Sequence, residues 1–186
     1  MNIFFLDPEP TKIAEYHIDK HCVKMVLEIS QLLCTAHHLH PFEELPEKFY
    51  KKTHHNHSSA IWARESIANY CYVCEIGLCL LAEYSYRYGK VHASDSVIQW
   101  CTDNLPDIPA YKPEYSMGSR LVTSKPALAM PDRYKSECPI ESYRNYYING
   151  KQYTDSGKWM MKYKNRDYPE WFPDWLVEKC LENNGK

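Results

Sequence analysis

The chain has 186 residues, 44% of them hydrophobic and 25% charged, with a formal net charge of −2. That length suits one domain with a sizeable core, and the near-neutral charge excludes a generally adhesive polycation. No secretion leader or membrane span is legible, and the eight cysteines follow no disulfide or zinc spacing, so an intracellular, cytoplasmic protein with reduced thiols is expected.

Residues 2–6 are a short apolar run stopped by Asp7-Pro8-Glu9-Pro10. They read as a brief strand or an extended arm before a helix, with Thr11 as a candidate cap. The first long helix is expected over about 11–38. Along it His17, His21, Lys24, Glu28 and Gln31 recur at offsets of four, three, four and three, which stacks them on one stripe. The rest of the helix is apolar nearly all round, so it belongs inside the domain.

A polar stripe on a buried helix needs partners, because each unsatisfied group costs on the order of 1–3 kcal/mol. The stripe therefore predicts one wall of a polar pocket. Taken singly, each His reads as a hydrogen-bonded core residue and Lys24 as an intrahelical partner of Glu28. Taken together, ionisable groups converging in a low-dielectric site are how side-chain pKa values are tuned for chemistry.

A Pro-broken connector over 39–52 leads to a second long helix, expected over 58–88 and stopped by Gly89. Ser58, Trp62, Glu65 and Asn69 share one face of it, and His57 and Arg64 a neighbouring one. A guanidinium on an apolar helix needs a carboxylate or a phosphate, so Arg64 is expected either to pair with Glu28 across a shared cavity or to hold a substrate phosphate. His54, His55 and His57 raise a metal alternative, in which His17, His21, His54 and His57 bind zinc or another divalent transition metal. His17-x-x-x-His21 lacks the Glu that follows the first His in the zinc-protease motif, and no cofactor is the primary expectation.

A short helix over 93–104 is closed by Pro106, and the Pro-rich stretch 105–133 reads as an irregular loop segment. A helix over 139–150 ends at Asn149-Gly150, and a terminal amphipathic helix is expected over 171–181. Between Arg133 and Arg166 eight basic residues face three acidic ones, interleaved with six tyrosines and Trp159. Cations alternating with flat rings suit phosphate neutralisation and base stacking, so Arg144, Lys158, Trp159 and Lys162 join the candidate substrate contacts. The sum is a mainly α, single helical domain over 1–186, built on two long helices.

With these residues assembled, the chain resembles the phage pyrimidine-dimer DNA glycosylases, small all-helical enzymes with an attached lyase activity. Asp19-Lys20-His21 followed by Glu28 is similar to that family's first-helix Asp-x-His and catalytic Glu. Leu80-Leu81-Ala82-Glu83 leading to Arg87 and Gly89 resembles its middle helix, and Trp159, Lys162 and Tyr163 resemble its C-terminal cluster. The chain departs from the family where DNA-gripping arginines stand beside and three residues after the Glu, since Leu27 and Gln31 occupy those positions. The family's nucleophile is the α-amine freed by removing the initiator Met before a small residue, whereas residue 2 here is Asn. Lys24, with its pKa lowered by burial, is the candidate substitute.

The expected partner is DNA or a pyrimidine nucleotide, and the expected activity is N-glycosylase-like on a damaged or modified base. The resemblance implies that Glu28 stabilises the sugar cation or moves a proton. His17 and His21 would then bond base or sugar, while Arg64, with His57, Asn69 and Gln31 nearby, would hold the nucleotide. The alternatives are a metal-dependent nucleotide or phosphoester hydrolase and a noncatalytic nucleic-acid-binding helical module.

Overall fold

A computed structural model describes residues 2–41 and 44–185. Among them are seven α-helices: α1 (Pro10–Tyr16), α2 (Asp19–Leu39), α3 (Ser58–Ala63), α4 (Ile67–Tyr88), α5 (Asp95–Asp103), α6 (Pro139–Gly150) and α7 (Asp174–Asn184). One antiparallel hairpin, β1 (Tyr115–Met117) with β2 (Arg120–Val122), completes the regular structure, and the fold is mainly α. No described helix is long and apolar enough to cross a membrane, and all eight cysteines are free thiols. α4 packs against α1, α2 and α5. A Cβ at Gly77 would lie 3.1 Å from Ile29 and 3.2 Å from Ile98, so glycine there lets α4 sit close to both neighbours.

Each expected long helix is two helices. The first breaks at His17 and Ile18, whose ψ angles of 130° and 155° are extended. The cause lies on α4: the buried Arg87 guanidinium donates to the carbonyls of His17 (2.8 Å) and Glu15 (2.9 Å), taking acceptors that a continued helix would use. The second break falls at Arg64–Ser66. Ser66 Oγ caps α4 by accepting from the Asn69 N–H, and the Asn69 amide donates back to the Trp62 carbonyl at the end of α3. Gly89, at φ 63°, ends α4 where its position predicts.

Residues 2–6 form no strand. They run as an extended arm through the core, with Leu6 fully buried and Phe4 stacked 4.7 Å from the His21 ring. Arg144 fastens the arm by donating to the Leu6 carbonyl (2.8 Å) and pairing with Asp7 (3.0 Å). The 105–133 segment is not wholly irregular, for it holds the hairpin and a one-turn 3-10 helix, Asp132–Tyr134. Three-residue strands are too short to show an alternating pattern, but Met117 and Val122 are buried and anchor the hairpin.

Arg87 is the electrostatic centre of the fold. It pairs with Glu83 (2.6 Å) and Asp19 (3.0 Å), and Glu83 is gripped again by Arg166 (2.7 Å). Burial alone would raise the Glu83 pKa, but hydrogen bonds from Arg166 and Arg87 outweigh it and hold the carboxyl below its ordinary value. Arg87→Ala strands two helix-end carbonyls and leaves the buried Glu83 carboxylate to Arg166 alone, so a loss of about 3–5 kcal/mol in urea unfolding is expected. A loss under about 1 kcal/mol would show that the network contributes little.

Candidate functional site

The stripe on α2 survives without its first member. His17 lies in the break before α2, while His21, Lys24, Glu28 and Gln31 keep helical spacing. Glu28 is 7% exposed and holds nitrogens on both oxygens: Lys24 Nζ lies 2.9 Å from Oε1, and the Asn2 backbone N–H donates to Oε2 at 2.8 Å. The Lys24 side chain is 58% exposed, so the burial on which its expected role as substitute nucleophile rests is absent. Gln31 is half-buried and makes no side-chain hydrogen bond among the described residues.

Each of the three candidate histidines has a partner within the fold on its Nδ1. His17 is 1% exposed and donates from Nδ1 to the Ile13 carbonyl at 2.6 Å, and burial pushes its pKa down to about 4. His21 lies between Phe4 and Tyr147 and shares a 2.6 Å hydrogen bond with the Tyr147 hydroxyl. Burial first, then the charges of His17, Lys151, Lys24 and Lys20, hold it well below its ordinary pKa. His57 caps α3 by accepting from the Ser59 N–H at 3.2 Å; burial lowers its pKa, while the nearby Glu28 charge acts the other way.

The neutral His17 has a consequence for stability. Unfolded, it titrates near 6.5, so across about pH 6.5 to 4 the unfolded chain takes up a proton that the folded one refuses. Stability is therefore full above 6.5 and falls as pH drops through that window, by about 3 kcal/mol from this residue. Urea unfolding at pH 7 and pH 4.5 checks it, and a flat profile would show that a protonated His17 is accommodated.

Three expected contacts turn out otherwise. Arg64 occupies the cap that ends α3, and its side chain forms no ion pair or hydrogen bond among the described residues. The expected Glu28–Arg64 pair is thus not made, and Arg64 Nη1 is buried without a partner. Asn69 is structural, joining Trp62, Glu65 and the Thr123 N–H. Arg144 is engaged with the arm and lies over the Trp171 ring at 5.1 Å. Among the described residues no group of three or more His, Cys, Asp or Glu side chains placed to hold a metal ion is found, whether from His17, His21, His54 and His57 or from others.

The basic aromatic residues do gather. Lys158, Trp159 and Lys162 line a concavity of about 300 Å³ with Thr154, Met160, Asp19 and Lys20. Asp19 Oδ1 there accepts from Arg87 and from the Lys164 N–H (2.8 Å), and three lysines line the same concavity. Trp159 meets Tyr153 edge-on at 5.2 Å. Lys20, Lys24 and Glu28 are spaced i, i+4, i+8 on α2, so a line of cations runs about 12 Å along the helix from the concavity to the carboxylate. Lys151, over the Tyr146 ring at 4.7 Å, adds another charge near His21.

Sequence reasoning missed Lys20, Asn2 and Lys151. Lys20 was visible as the residue one turn before Lys24; the position of Asn2 depends on the path of the arm, which no spacing encodes. Comparison with protein-family models, curated proteins and solved structures finds no match.

Proposed function

We propose that this protein processes DNA in the cytoplasm by N-glycosylase-like chemistry on a damaged or modified pyrimidine, centred on Glu28. The observation that carries this reading is the buried Glu28 carboxylate with Lys24 Nζ and the nitrogen of residue 2 each within 3 Å. In the resembled family a Glu works beside an amine at residue 2. Removal of Met1 here would turn the Asn2 nitrogen into such an amine.

That amine, unprotonated, attacks C1′ of the target nucleotide. The C1′–N bond breaks with its electron pair leaving on the base, and Glu28 takes the proton that the attacking nitrogen gives up. Such a target must first leave the base stack. The lysines from Lys24 to the Trp159 concavity supply charge along a phosphate backbone, and the unpaired Arg64 is suited to a phosphate. Duplexes carrying a panel of modified pyrimidines, assayed for released base by chromatography, test this directly. Release from at least one modified duplex and none from unmodified DNA is expected, and no release from any would set the reading aside.

A further inference from the structure

We infer that Tyr143 is a positioning residue for Glu28, acting through the side chain of Asn2; this rests on Glu28 being the catalytic carboxylate. An extended arm with no ladder partner has no regular hydrogen bonds to fix its register. Side chains must do so, and at Asn2 they do. Its carboxamide donates from Nδ2 to the Ala129 carbonyl at 3.0 Å, while Oδ1 accepts from the Ile3 N–H at 2.9 Å and from the Tyr143 hydroxyl at 2.9 Å. With those atoms engaged, the Asn2 N–H is left aimed at Glu28 Oε2.

Tyr143 is fully buried on α6, and its ring meets Phe4 and Phe5 edge-on at 5.8 and 5.7 Å. The ring thus sets where the arm lies, and the hydroxyl sets how residue 2 is turned. That hydroxyl is itself held, since its single proton is shared with the Ala127 carbonyl at 2.7 Å. A carboxamide suits the position because it both donates and accepts. Aspartate would lose the bond to Ala129 and place a second negative charge beside Glu28.

Tyr143→Phe keeps the ring and deletes only the hydroxyl, so it separates positioning from packing. With a duplex that the wild type processes, kcat is expected to fall about 10–100-fold with KM unchanged, as for a small misplacement of a reacting group. Added to Glu28→Gln, the same change should cost nothing further. Tyr70→Phe is the control: it is an equally buried tyrosine whose hydroxyl donates to the Cys101 carbonyl, and it should leave kcat as it is. A readout independent of turnover is hydrogen exchange at the Ile3 amide, expected to quicken about tenfold in Tyr143→Phe and not in Tyr70→Phe. Wild-type kcat in Tyr143→Phe, a loss no greater than that of Tyr70→Phe, or unchanged Ile3 exchange overturns the inference. If the wild type releases no base at all, the proposed function fails by itself, and the exchange measurement alone decides whether the clamp exists.

Discussion

Glu28→Gln is expected to remove turnover, by about 100-fold or more, while leaving the protein folded. The substitution keeps the shape of the side chain and an oxygen that accepts from the Asn2 N–H, so the arm retains its contact. It removes the charge that would take a proton or oppose positive charge on the sugar, and such groups are worth about 10²–10⁴ in rate. The pair lost with Lys24 joins a largely exposed ammonium, an interaction worth ~0–1 kcal/mol. A melting midpoint close to wild type should therefore accompany the loss. Full turnover in Glu28→Gln would make the carboxylate a structural anchor for the arm and nothing more.

The second large effect is on binding. Replacing Lys20, Lys158 and Lys162 together by Ala removes the three cations that line one concavity. Each phosphate contact on duplex DNA contributes about −0.9 to the slope of log K against log salt, so the triple variant should flatten that slope by up to about 2.7. Trp159→Ala should instead weaken binding by ~1–3 kcal/mol through lost stacking, with little change in slope. Titration of a fluorescent duplex at several salt concentrations separates the two. An unchanged slope in the triple variant would remove this surface from the DNA interface and favour a small nucleotide as substrate.

What could be read from the sequence was what local spacing encodes. The α2 periodicity, the Gly89 stop and the helix ending at Asn149-Gly150 all depend on neighbours within a few turns, and the structure has them. The break at His17 depends on Arg87, seventy residues away, and no window around residue 17 contains it. The second break was legible in principle, because Ser66 followed by Asn69 is a capping pattern inside an otherwise helical run. Within the candidate site, the adjacency of Lys24 and Glu28 followed from i,i+4 spacing. The third party, residue 2, came from an apolar arm whose path through the core is a tertiary outcome.

Borohydride trapping with peptide mapping tests the central claim most directly. Incubated with a modified duplex that it processes, the wild-type protein should be captured as a covalent adduct on the residue-2 nitrogen, which lies against Glu28, and Glu28→Gln should give none. Capture at a lysine remote from Glu28, or base release with no adduct under any condition, would contradict an amine nucleophile working beside this carboxylate.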